Sequence, residues 1–252
     1  MNVQPQAIVR SLPLVAGVLG KHYGVNVEIG GSQASTDGKT IRLPALPPDG
    51  DPTLLGLVRG FIDHESAHIR HTDFSVLTAG PITPLEKHVW NCIEDWRVET
   101  ALAKIYPGCR MNFDWLIEHH FGGKGPGRQS GLQQQIPNYI LYAIRAWDVP
   151  ALTEIRDRLG ASIRKSRPAL FDGINAILAE AQADCTNSRD AMLYALRIVA
   201  LIKQEAKSQP ESQQQKGDQT QNQTGKASDA DSQPALNPDL KALLDATEGD
   251  LP

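Results

Sequence analysis

Within residues 62–74, IDHESAHIRHTDF, the side chains His64, Glu65 and His68 stand in the order H-E-x-x-H. If this stretch is helical, His64 and His68 lie on one face about 6 Å apart along the axis and can aim two imidazoles at one cation. Glu65 lies one residue round, where a carboxylate reaches a water on the metal without displacing it. Its role would be general base, taking a proton from that water as it attacks a carbonyl carbon and passing the proton to the departing amine. Two neutral imidazoles, one carboxylate and one open position match catalytic zinc, so Zn2+ is the expected ion. The bare motif also arises by chance on amphipathic helices, and its surroundings must carry the reading.

A zinc site of this kind needs a third protein ligand, and NCIEDWRVE at residues 91–99 is crowded with candidates. Asn91, Asp95 and Glu99 are spaced by four and share one helical stripe, with Glu94 beside Asp95. One acid can bind metal while a second, one turn later, accepts the free ring N–H of a liganding histidine and fixes its tautomer. Asp95 with Glu99 meets that spacing, whereas Glu94 has only Val98 at its own plus-four position. Asp95 is the favoured third ligand and Glu94 the alternative, with Glu99, Asn91 and Arg97 expected around them. Arg97 reads as one half of an ordinary ion pair, within its helix or between helices. His71, a further turn beyond His68, is too far along the axis to share the metal.

The elements that must position these groups can be read from caps and periodicity. Asp51-Pro52 opens the first helix, Asp as N-cap and Pro at the first position. Leu54, Leu55, Leu57, Val58, Phe61, Ile62 and Ile69 make that helix apolar enough to be buried. A second helix starts at Thr83-Pro84-Leu85-Glu86, where Thr83 and Glu86 form a capping box, and runs to about Tyr106 before Pro107-Gly108. The short link Gly80-Pro81-Ile82 makes the two helices neighbours. Upstream, residues 11–20 read as an amphipathic helix and VNVEI at 25–29 as a strand. Asp37-Gly38 before Thr40, Ile41, Arg42 and Leu43 predicts a turn, so residues 25–43 are expected to form a small hairpin.

Beyond residue 110 the patterns are helical over about 133–147, 150–159, 168–184 and 188–207. The glycine-rich stretch at 122–128 lacks the Lys-Ser/Thr of a phosphate loop and reads as a lid or plain connection. Ser208 to Gln233 holds no aromatic residue and no aliphatic residue larger than alanine, so it cannot bury a core and is expected to be a flexible tether. One short helix is expected after it, from Asn237 or Pro238 to about Ala246.

HESAHIRHTDF followed some twenty residues later by NCIEDWRVE, with STDGKTIRLPALP before them, resembles the N-terminal metallopeptidase-like region of CobT-like proteins, von Willebrand A proteins related to a cobalt-chelatase subunit. The resemblance covers roughly residues 30–105. It implies a gluzincin-like, zincin-like core in which His64 and His68 bind zinc, Glu65 is catalytic, and an acid of the pair at 94–95 completes the site. It also implies a low-complexity linker leading into a von Willebrand A domain, and work beside a MoxR-type AAA+ ATPase.

The fold class expected is therefore mainly α with a small β-hairpin or sheet. A zincin-like core would occupy residues 1–110, a helical extension packed on it 111–207, a polar linker 208–235, and a short helix or tail toward a further domain 236–252. The chain of 252 residues carries 25 Lys and Arg against 29 Asp and Glu, a net charge of -4, with the cations scattered, so nucleic acid is not an expected partner. No run approaches the roughly 18 apolar residues of a membrane span, and the apolar stretch at 11–20 lacks a small-residue cleavage site. Cys92, Cys109 and Cys185 form no metal-ligand spacing and cannot all pair, which fits a reducing compartment. A cytoplasmic zinc metallopeptidase acting on a peptide or protein is the leading expectation. The alternative is a catalytically silent zinc-binding adaptor for the ATPase.

Overall fold

A computed structural model of the protein describes residues 5–47, 51–123, 125, 131–207 and 237–252. The stretch expected as a linker at 208–235 lies outside the described residues, as does most of the glycine-rich segment at 122–128. The described residues are mainly helical, with one small sheet. In chain order they form α1 (Pro5–Leu19), β1 (Asn26–Gly31), β2 (Ser35–Thr36), β3 (Thr40–Pro44), α2 (Leu54–His71), α3 (Pro84–Ile105), α4 (Pro107–Phe121), α5 (Leu132–Arg145), α6 (Thr153–Ser166), α7 (Pro168–Asp184), α8 (Ser188–Lys207) and α9 (Pro238–Leu244). No helix among them is long and apolar enough to cross a membrane. The three cysteines are free thiols, two of them buried.

The capping box that the sequence places at the start of α3 is present: Thr83 Oγ1 accepts from the Glu86 N–H at 3.3 Å, and the Glu86 carboxylate accepts from the Thr83 N–H at 2.9 Å. α3 ends at Ile105, where the sequence places its stop, but Pro107 also opens a helix that the sequence reading did not contain, α4, at its first position, where the missing N–H costs nothing. The start of α2 differs from expectation. Its N-cap is Thr53, and Asp51 folds back to accept from the Thr53 N–H at 2.8 Å and its hydroxyl at 2.6 Å. That local loop competes with direct capping, and the helix begins after it.

The sheet also corrects the hairpin reading of residues 25–43. Asp37-Gly38 does turn the chain between β2 and β3, which pair antiparallel, but β1 pairs with β3 in parallel. The strand order is β1-β3-β2. β3 takes the centre because Ile41 and Leu43 are fully buried there, against Val58, Phe61 and Ile62 of α2 and Leu12 and Ala16 of α1. β2 is left at the edge, paired on one side only.

A second, larger core surrounds α3, which packs on α2, α4, α5 and α8. Leu85, Val89, Ile93, Val98 and Leu102 bury its apolar sides completely or nearly so. α2 is drawn close to α4 by Gly60, where an added Cβ would sit 2.7 Å from the Leu116 Cβ. α9 rejoins this core through Leu240 and Leu243, both fully buried. The Asn237 N–H donates to the Ala206 carbonyl at 3.1 Å, so the residues flanking the polar stretch stand next to each other.

Candidate metal centre

His64, Glu65 and His68 occupy the C-terminal half of α2, facing the acidic stripe of α3 across a cleft of about 400 Å³. His64, Glu65 and His68 line it from one side, Lys87, Trp90, Asn91 and Asp95 from α3, and Ser35 and Thr36 from β2. The two imidazoles meet edge to face with centroids 4.8 Å apart.

Each histidine has one ring nitrogen engaged behind it. His64 Nδ1 donates to Glu99 Oε1 at 2.8 Å. His68 Nδ1 lies 2.9 Å from Thr72 Oγ1, whose hydroxyl donates to Glu94 Oε1 at 2.9 Å. Because the threonine proton goes to Glu94, its oxygen is the acceptor and His68 Nδ1 carries the hydrogen. In the neutral rings these partners keep the hydrogen on Nδ1, so Nε2 is the nitrogen turned toward the cleft for a cation. His68 Nε2 lies 3.1 Å from Asp95 Oδ1. His64, His68 and Asp95 each offer a ligand atom within 4.8 Å of the other two, the one such group of three among the described residues. Two imidazoles and a carboxylate oxygen, already gathered and oriented from behind, suit zinc.

Glu94 and Asp95 are adjacent in sequence and have opposite surroundings. Glu94 is fully buried with both oxygens taken: Arg97 bridges it through Nε at 2.9 Å and Nη2 at 2.6 Å, and Ser188 Oγ donates at 2.7 Å. It faces α8 and does not line the cleft, and it reaches the centre only through Thr72. Asp95 lines the cleft. Arg97 pairs with Glu94 at i,i+3 and also donates to the His71 carbonyl at 2.8 Å, which ties the end of α2 to α3. Asn91 is exposed in the cleft, one turn before Asp95.

Burial opposes charge on His64, but its bond to Glu99 and the carboxylates of Asp95, Glu99 and Glu65 outweigh that and push its pKa up to about 9. Asp95 and Glu99 are likewise desolvated, yet the histidines and Arg145 hold both well below the usual carboxylate range. Glu65 behaves the other way. Burial raises its pKa, and the nearby His64 only partly offsets this, so it holds a proton more readily than an exposed glutamate.

Three contributors escaped the sequence reading. Thr72 stands four residues after His68, a spacing that could have shown it as a partner. Ser188 begins α8 and is joined to the site only by the packing of α8 on α3. Arg145 ends α5, and its Nη1 donates to Glu99 Oε2 at 2.9 Å and its Nη2 to Asp95 Oδ2 at 2.8 Å. The signal for it was a lone cation closing the apolar run YILYAIR.

A mainly helical domain that gathers two histidines and an aspartate at one cleft defines a candidate metal-binding protein. Among known families, the model described as cobalamin biosynthesis protein CobT matches residues 5–142, more than half of the 252 residues, and the chain belongs to that family. No curated protein and no solved structure matches it.

Proposed function

We propose that this chain is a zinc-dependent peptidase domain with Glu65 as its general base. The observation that carries the reading is the convergence of His64, His68 and Asp95 on a cleft whose wall also holds the buried Glu65. Zinc bound by those three residues would supply Lewis acidity toward water and toward the substrate carbonyl. Glu65 takes a proton from the attacking water as its oxygen bonds to the carbonyl carbon. It returns that proton to the nitrogen as the C–N bond breaks. Its raised proton affinity suits both halves of the transfer. Glu99 and the Thr72–Glu94 pair hold the imidazoles with Nε2 forward. The open edge of β2 lies beside the site and can take an extended peptide as an added strand.

The test is Glu65→Gln, which should keep one zinc per chain and lose hydrolysis of an unfolded protein substrate. A variant that cuts as fast as the parent would sink the proposal. A second reading, a zinc-bearing adaptor working with a MoxR-type AAA+ ATPase and a von Willebrand A domain, takes those partners from the resemblance to CobT-like proteins and is favoured by the family's description, which names a biosynthetic role. It predicts stoichiometric zinc with no turnover, and replacement of His64 or His68 would then lower stability with no activity to lose.

A further inference from the structure

We propose that Arg145 is a positioning residue of the metal centre that restricts Asp95 to a single metal-directed oxygen and so keeps a coordination position open. This rests on the metal-centre reading above and adds a residue from α5, in the region the sequence assigns to a helical extension.

Arg145 is 6% exposed, and its guanidinium is split between two acids of α3. One Nη holds Asp95 Oδ2 at 2.8 Å and the other holds Glu99 Oε2 at 2.9 Å. The remaining oxygens go to the histidines: Asp95 Oδ1 lies 3.1 Å from His68 Nε2, and Glu99 Oε1 lies 2.8 Å from His64 Nδ1. Each carboxylate thus has an arginine side and a histidine side. A cation arriving on the histidine side meets Oδ1 of Asp95. Chelation through both oxygens would require the carboxylate to turn until Oδ2 also faces the cation, which pulls Oδ2 out of line with the Arg145 N–H it now accepts from and weakens a charged bond of a buried guanidinium. The planar fork matters here, because a lysine ammonium has no rigid pair of donors to span two carboxylates. With Asp95 held to one oxygen, His64, His68 and Asp95 occupy three positions and a fourth stays free beside Glu65.

X-ray absorption on the zinc-loaded wild-type chain, with Co2+ substitution as a second probe, tests this without any substitution. Two nitrogens and one oxygen from a one-armed carboxylate are expected, and a chelating carboxylate in the wild type overturns the proposal while leaving the metal centre intact. If the wild type binds no zinc, the metal-centre reading itself falls and this proposal falls with it. Arg145→Met would leave the buried Glu99 and its neighbour Asp95 uncompensated, so the variant to use is Arg145→Met with Glu99→Gln, which removes one charge of each sign. Its metal coordination number should rise by one and its Co2+ visible band should weaken, while Glu99→Gln alone keeps the wild-type count. An unchanged count in the double variant overturns the proposal.

Discussion

Two neighbouring acids, Glu94 and Asp95, sit on two different sides of α3. Glu94 points into the packing between α3 and α8, where an arginine and two hydroxyls use every oxygen it has. Asp95 opens onto the cleft between α2 and α3, with one oxygen toward His68 and one toward Arg145. The contrast teaches that an acid becomes available to a cation by being incompletely bonded on an open side. An acid saturated by its neighbours has become part of the scaffold. Glu94 still serves the centre at one remove, because the threonine it restrains restrains His68.

The sharpest way to break this contrast is to neutralise each acid in turn. Asp95→Asn should weaken zinc binding by more than about 100-fold, beyond the range for outer partners, while the fold survives. Glu94→Gln should do the reverse: zinc is retained, but Arg97 stays buried without its counter-charge and stability falls by about 3–5 kcal/mol. Chelator competition and denaturant unfolding read the two quantities, and effects that trade places would undo the assignment.

Smaller losses should follow from the residues behind the histidines. Glu99→Gln removes the negative charge of the acceptor behind His64 Nδ1 and should cost about 10–100-fold in zinc affinity, measured by the same competition. Thr72→Val cuts the link from His68 to Glu94. A stability loss of about 1–3 kcal/mol is expected, since Glu94 loses one of its donors, with a shift in zinc affinity no larger than that of Glu99→Gln.

Proton linkage gives the mildest probe. In metal-free protein His64 is lifted from 6.5 to about 9, so its protonated form adds stability that is fully present below 6.5 and fades as pH rises through about 9. Glu99 is shifted down from 4.5, and its share is present above that value and lost as pH falls below it. The thermal stability of metal-free protein should therefore fall as pH climbs from 6.5 to about 9, with a flatter profile in Glu99→Gln. Zinc affinity should rise over the same interval, because the metal must displace the His64 proton. An unfolding temperature that stays level across it would place His64 outside any strong ion pair.

Much of the helical layout was legible because its signals are local. The capping box at Thr83 and Glu86, the stop before Pro107 and the apolar periodicity of α8 each act within a turn or two of chain, whereas α4 was missed because Pro107-Gly108 reads as an end and not as a start. β1 was misread because its turn chemistry was correct for a different pair: Asp37-Gly38 serves β2, a strand of two residues with no periodicity to display. Asp51 was misplaced because its side chain satisfies a loop and not the helix end. Arg145 could not be linked to Asp95 at all, since the two are 50 residues apart and meet only when α5 packs on α3.

By itself, then, the sequence determined which groups share a stripe: His64 with His68, and Asn91 with Asp95 and Glu99, because helical spacing repeats every 3.6 residues whatever surrounds it. Only the tertiary structure decided which side of α3 meets α2. Glu94 and Asp95 are about 100° apart on a helix buried almost all round, and the spacing that groups Asp95 with Glu99 favours one stripe without showing which neighbouring helix each side meets. That choice was made by packing, through Arg97 and Ser188 on one side and Arg145 on the other.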